Sequence, residues 1–396
     1  MTNIRRIQDA EVAGKRVLVR VDFNVPMKDG AVTDDTRLKA ALPTIEHLKQ
    51  AGARTVLLAH FGRPKGQRVA EMSLEPVAQP LADLLGEPVD FVDDITGADA
   101  LEAVSDMSDG DVLLIQNTRF EPGEEKNDPA FAEALAKLGD VYVNDAFSAA
   151  HRAHGSTEGV AKHLPAYAGL SMQREIDHLV QALEAPERPV VALVGGAKVS
   201  TKIELLENLV KKVDVLFVGG GMANTLLHAK GVNIGASLCE KDLADTAQAI
   251  LAAAETAGCQ LILPSDALVA TEFKPHPETR VTSVHDVAEN EMILDCGPAT
   301  ITALAVAMDG AKTVIWNGPL GAFETPPFDT ATVTAAKHVA DLAREGEIVA
   351  VAGGGDTVAA LNQAGVAGDF TFISTAGGAF LEWMEGKALP GVEALR

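Results

Sequence analysis

Cationic side chains are the first feature of this sequence that could do chemistry, because the chain is otherwise strongly acidic. Its 396 residues carry 33 Lys and Arg against 56 Asp and Glu, a formal net charge of −23. The stretch AFSAAHRAHGS (146–156) nevertheless gathers His151, Arg152 and His154. Metal ligation fits it poorly: Arg152 between the histidines would repel a cation, and the nearby Asp145 is a single carboxylate. A general-base role for either histidine lacks an obvious nucleophile partner. A cradle for an anion suits the residue types better. The same chemistry recurs upstream. RVDFNVP carries Asp22 and Asn24, with Arg37 after it; AHFGRPKG carries His60 and Arg63; QNTRFEPGEEK carries Arg119. Arginine offers a fixed fork of donors matched to carboxylate and phosphate. Arg37, Arg63, Arg119 and Arg152 converging on one cleft would bind a small polyanion.

The second half offers glycine instead. VGGAKVSTK (194–202), VGGGMAN (218–224) and AGGGDT (352–357) each follow an apolar run and open a helical pattern. Glycine lets the backbone approach phosphate, and helix N-termini donate N–H groups to it. Neither GxxxxGK[ST] nor a clean GxGxxG is present. Lys198 and Lys202 lie four apart, on one face if that helix has begun. Glu324 could accept from ribose hydroxyls. Asp356 reads either as the N-cap of the last glycine-rich helix or as a Mg²⁺ contact beside nucleotide phosphates.

Elements must place these groups. Short apolar runs alternate with amphipathic segments throughout, as in βαβ units. The runs are 16–21, 55–60, 89–94, 111–116 and 141–146, then 189–196, 214–220, 260–266, 312–318, 347–354 and 370–375. The loops above follow the carboxyl ends of these strands, where open parallel sheets bind ligands. Hydrophobic residues at 47%, with aromatics at only 4%, suit buried parallel strands under small-residue helices. The length implies two domains. The best boundary is the helical pattern from Leu170 to Leu183, broken by the prolines of APERP. The charge excludes a general nucleic-acid binder. Cys239, Cys259 and Cys296 have no zinc spacing and read as buried residues in a reducing compartment. No apolar signal core or membrane-length run is present, so a cytoplasmic enzyme is expected.

An anion-binding half and a nucleotide-like half joined by a helix fit a phosphoryl transferase whose two substrates meet on closure. A dehydrogenase would require GxGxxG and an acidic residue about twenty positions on. A non-enzymatic anion-binding protein would not need GGAKVSTK or GGGDT.

RVDFNVP, HFGRPKG, NTRF, DAF..AHRAH, GGAKVSTK, DCGP, WNGPLGAFE, GGGDT and ISTAGGAFLEWMEGKALPG resemble, in order, the motifs of phosphoglycerate kinases, from about residue 17 to 391. The resemblance implies a 3-phosphoglycerate site at Asp22, Phe23, Asn24, Arg37, His60, Phe61, Gly62, Arg63, Arg119 and Arg152. It implies a nucleotide site at Lys202, Glu324, Gly353, Gly354, Gly355, Asp356 and Thr357, with Asp356 contacting Mg²⁺. Arg37, Lys198 and Lys202 correspond to the groups around the migrating phosphoryl, and Gly377 and Gly378 to a loop on its path. The implied reaction is reversible Mg-dependent transfer between 1,3-bisphosphoglycerate and ADP, the glycolytic step, by direct in-line transfer on domain closure in a cytoplasmic monomer. The implied fold is α/β: two Rossmann-like three-layer domains with mostly parallel sheets, joined by a hinge helix. Domains are expected at 1–170 and 189–375, with a linking helix at 171–188 and a segment, 376–396, folding back onto the first. Two departures stand out. Ala376 replaces the first of three usual glycines, and Ser148-Ala149 stands where Gly-Thr is common.

Overall fold

A computed structural model describes residues 4–396. The first sheet has six strands, in the order Asp90–Val92, Val112–Ile115, Arg54–Leu58, Arg16–Arg20, Val141–Asn144 and Ala166–Ala168. The second also has six, in the order Gln260–Ile262, Val215–Val218, Val190–Val194, Thr313–Asn317, Val349–Gly353 and Phe372–Ser374. Every pairing in both sheets is parallel. Parallel neighbours require crossovers, and the intervening helices supply them. Central strands are therefore covered on both faces. All five residues of Val190–Val194 and of Thr313–Asn317 are buried, which explains the unbroken apolar runs.

In each sheet the chain fills one side, then returns and builds on the other; in the first sheet Asp90–Val92 takes the edge before Val112–Ile115 inserts beside Arg54–Leu58. The reversal falls between Arg16–Arg20 and Val141–Asn144 in the first sheet, and between Val190–Val194 and Thr313–Asn317 in the second. There the two flanking loops diverge to opposite faces and leave a crevice at the strand carboxyl ends. All eleven apolar runs read from the sequence fall on these two sheets.

By contact, the chain divides into two compact units. The first ends at Asp177 and regains Ala388–Arg396; the second is His178–Lys387. The boundary thus falls inside the helical stretch formed by Leu170–Leu179 and its continuation Val180–Glu184. The C-terminal boundary lies at 387/388 rather than 376. The reason is Phe380, fully buried, whose ring lies so close to Gly353 that a Cβ there would sit 2.6 Å from it. Asn208 also donates to Met384 O, at 2.5 Å, so the Gly377–Met384 helix stays with the second unit. Gly391 N donates to Ala150 O in the first unit, at 2.8 Å.

The sequence reading missed three features: the edge strand Ala166–Ala168, a two-strand hairpin at 27–32, and an antiparallel sheet in the second unit. That sheet comprises Asp266–Ala270, Thr279–Ser283 and Met292–Cys296, and packs a small core of its own from Leu227, Ile234, Ala267, Val269 and Val287.

Candidate functional site

The crevice of the first sheet is lined by side chains. Directly after Arg16–Arg20, Asp22 accepts from Arg37 Nη1 at 2.9 Å on both carboxylate oxygens. Ser148 Oγ, from across the sheet reversal, donates to Asp22 Oδ2 at 2.5 Å. Asn24 Oδ1 accepts from Gly62 N at 3.0 Å. Asn117 ties the next two loops together: its Oδ1 accepts from Phe61 N and Arg119 N, both at 3.1 Å, and its Nδ2 donates to Phe61 O at 2.7 Å. Arg119 Nη1 donates to Gly62 O at 2.7 Å. Asp22, Asn24, Arg37, Phe61, Gly62 and Arg119 are therefore held in hydrogen-bonded register. Arg63 is exposed, and among the described residues no hydrogen bond or ion pair restrains it. The Phe23 side chain is fully buried in the first core, which leaves its backbone for a ligand.

The cations repel one another, and their pKa values show it. Burial, then Arg152, lowers Arg119 to about 10, which leaves it charged at neutral pH. Burial pushes His154 down to about 4, helped by Arg119, Arg20 and Arg152. Burial first, then Arg20, Arg119 and Arg152, holds His60 well below its ordinary value, and His151 is lowered by burial and Arg152. All three imidazoles are thus neutral near pH 7. The positive charge comes from guanidiniums. One of them, Arg20, was missed in the sequence. It lies inside the strand RVLVR, is 1% exposed, and donates from Nη2 to His60 Nδ1 at 2.8 Å. Its only sequence signal is a charge within an otherwise apolar buried strand.

The crevice of the second sheet is built from backbone. Gly195 lies so close to Pro319 that a Cβ would meet Pro319 O at 1.8 Å. Gly354 has φ +98°, and a Cβ there would sit 2.8 Å from Asn317 Nδ2. Asn317 Nδ2 in turn donates to Gly353 O at 2.8 Å, and Gly318 N donates to Thr357 Oγ1 at 2.7 Å. Lys202 sits across the sheet reversal itself: its Nζ donates to Gly195 O at 2.7 Å and Asn317 O at 3.2 Å. Burial lowers its pKa to about 8, with Asp356 opposing the shift.

Two local expectations need correction. Lys198 and Lys202 do not share a helical face. Lys198 is extended, a single 3₁₀ turn follows at Val199–Thr201, and the α-helix starts only at Ile203. Lys198 is exposed instead, its charge felt by Glu240. Nor is Asp356 an N-cap. Gly354 holds that position, and Asp356 lies in the first turn of Gly355–Ala364, exposed and facing a cleft. That cleft, of about 490 Å³, runs along Gly196, Gly220, Gly221 and Pro319–Thr325, and includes Glu324. Its mouth carries two large apolar side chains left open to solvent, Leu238 at 54% and Phe273 at 60%. Gly377 begins its helix with no atom within 4 Å of a notional Cβ. Ala376 before it has φ −89°, a conformation alanine adopts without strain.

Doubly wound sheets with strand-end crevices of this kind define an α/β protein of the phosphate-handling type. The family model described as phosphoglycerate kinase matches residues 7–387. The phosphoglycerate kinase of Maricaulis maris is 74% identical over 395 residues, covering all of this chain and 98% of that protein. That of Xanthobacter autotrophicus is 63% identical over 396 residues, covering both proteins fully. The solved structure of phosphoglycerate kinase from Coxiella burnetii superposes with a TM-score of 0.93 at 42% identity, covering 99% of this chain and 98% of that one. The chain belongs to the phosphoglycerate kinase family, and it is an enzyme of that type, a kinase. Among the described residues no helix is long and apolar enough to cross a membrane.

Proposed function

We propose that this chain catalyses reversible phosphoryl transfer between the acyl phosphate of 1,3-bisphosphoglycerate and MgADP, giving 3-phosphoglycerate and MgATP, as a cytoplasmic monomer in glycolysis and gluconeogenesis. One observation carries the reading: an acidic chain concentrates Arg119 and Arg152 at the first sheet's crevice, with Arg20 buried behind His60, close enough to lower both His60 and His154. A phosphate and a carboxylate on one small substrate match that surface. Arg63, unrestrained, is free to close on such a ligand.

The second cleft suits the nucleotide. Leu238 and Phe273 offer apolar surface to a base, and Glu324 an acceptor to ribose. Amides at the start of Gly355–Ala364, where Asp356 lines the cleft, suit phosphate, as does the Lys202 ammonium beside Gly195. Asp356 fits a hard cation that takes most of its oxygens from phosphate and water, since a lone exposed carboxylate is what such a cation needs from protein. When bound, Mg²⁺ neutralises phosphate charge.

The chemistry follows from the groups present. Toward ATP, a terminal oxygen of ADP attacks the acyl phosphorus and a carboxylate leaves with the bonding pair. In reverse the carboxylate attacks. Neither nucleophile carries a proton to be removed, so no general base is required, and neutral histidines are no handicap. Catalysis by in-line transfer on domain closure then rests on positioning and on charge placed beforehand. Arg37 is so placed: Asp22 holds Nη1, leaving Nε and Nη2 for the migrating group. Lys198 and Lys202 supply the remaining charge, and Gly377 and Gly378, which form the first residues of a helix rather than a loop, put open space beside Gly377 where a side chain would stand.

The test is a coupled assay with 3-phosphoglycerate, ATP and Mg²⁺, in which 1,3-bisphosphoglycerate is followed through its NADH-dependent reduction. Loss of NADH that requires every component supports the reading. A folded enzyme that binds both substrates without turnover overturns it.

A further inference from the structure

We propose that Arg20 is a positioning residue that fixes His60 as the Nε2–H tautomer, so that His60 presents a neutral donor to the anionic substrate. This rests on the reading of His60 as a substrate contact.

Donors and acceptors decide the tautomer. Arg20 is a guanidinium, with five N–H donors and no acceptor. It is 1% exposed, and three of its directions are committed: Nη1 to Val21 O at 2.6 Å, Nε to Ser156 Oγ at 2.9 Å and Nη2 to His60 Nδ1 at 2.8 Å. A group that only donates leaves His60 Nδ1 one role, acceptance. The proton of the neutral ring must then sit on Nε2. The far side of Arg20 is fixed as firmly. Ser156 Oγ accepts from Arg20, so its own hydrogen goes to Glu124 Oε1, at 2.5 Å, while Glu124 Oε2 accepts from Ser156 N at 2.7 Å. Tyr142 OH pins the same turn by donating to Ser156 O at 2.8 Å. Every link of Glu124, Ser156, Arg20 and His60 therefore has a single polarity, and each member is buried.

The arrangement has a functional sense. A cationic His60 beside Arg20, Arg119 and Arg152 would attract any anion without direction. The other neutral tautomer would turn a lone pair toward the substrate and repel its oxygens. The tautomer that Arg20 enforces donates along one axis, which favours oxygen acceptors and adds no further charge to a crowded cationic site.

Nitrogen-15 NMR of the imidazoles reads this directly, with His60 assigned by the signals lost in His60→Gln. At pH 7 the wild type is expected to show a protonated Nε2 and an unprotonated Nδ1. Arg20→Met is expected to move His60 toward a mixture of tautomers and to raise KM for 3-phosphoglycerate about tenfold with a smaller change in kcat. Arg20→Lys, which restores a donor, is expected to recover part of both. A wild-type His60 protonated on Nδ1, or on both nitrogens, overturns the proposal. So does a folded Arg20→Met whose tautomer and KM are unchanged. If Arg20→Met does not fold, the wild-type spectrum still decides. The spectrum needs no turnover, so a failed assay would count against the proposed function and leave this test standing.

Discussion

The two strand-end crevices are built from opposite materials. The first uses long side chains: Arg37 held by Asp22, Arg119 held by Gly62 O, and Arg20 behind His60. The second uses backbone brought too close for any Cβ, at Gly195 and Gly354, with one lysine, Lys202, spanning the sheet reversal. A side-chain site is edited one hydrogen bond at a time, and substitution should change function before stability. A backbone site is part of the fold, and substitution should change both.

The largest effect is expected at Arg37→Ala, which removes a preorganised cation from the migrating group. The expected loss is a few hundredfold in kcat, about 3–4 kcal/mol, with melting temperature nearly unchanged. Steady-state kinetics beside a thermal melt checks it, and full turnover would remove Arg37 from the mechanism. Gly195→Ala should sharpen the contrast, because the new methyl meets Pro319 O. It should destabilise by about 3 kcal/mol, the upper range for overpacking, in a denaturant titration. A stable, active variant would mean the crevice is looser than its geometry states.

Lys202 links the two behaviours. Its pKa of about 8 lies below the ordinary 10.5. Between those values the unfolded chain holds a proton that the folded chain has shed, so stability rises with pH across that window. Below about pH 8 both states are protonated and the burial cost is fully present. Affinity for the nucleotide phosphates has the opposite trend, falling as pH rises through about 8. Lys202→Met should flatten both profiles and stabilise the fold at pH 7 by about 1 kcal/mol, while lowering turnover at least tenfold. Parallel pH series of melting and of ADP binding report this.

Smaller effects separate ornament from function. Ser148→Ala removes one of the donors on Asp22, and KM for phosphoglycerate should rise by a few fold, about 1 kcal/mol. Between pH 5 and 7 the pH dependence of that KM should follow the substrate's own phosphate and be the same in wild type and His154→Gln, since burial lowers His154 to about 4. Ala376→Gly should be silent within about twofold, because the alanine is unstrained.

What the sequence disclosed follows the same division. Runs such as VVALV and the VIW of TVIWN announce themselves because strands covered on both faces are apolar through their centres. TRVTS (279–283) does not: three of its five residues are exposed, and it pairs in a small antiparallel sheet whose polar pattern resembles a loop. Ala166–Ala168 is too short to show a pattern. In the cationic crevice the arginines were legible because loops put them beside Gly and Pro. Arg20 and Asn117 were not, since the partners that give them their place in the crevice, His60 and Phe61, are forty or more residues away in sequence. In the glycine crevice the motifs were plain, yet their geometry was not. Only the fold shows that Lys198 and Lys202 part company at a 3₁₀ turn, and that Gly354 rather than Asp356 caps the Gly355–Ala364 helix.

The most direct test of the division is calorimetric titration of wild type and Arg119→Gln with 3-phosphoglycerate and, separately, with MgADP. The account predicts at least a tenfold loss of phosphoglycerate affinity in the variant and MgADP affinity within about twofold of wild type. Parallel loss of both affinities, or competition between the two ligands on the wild type, would contradict it.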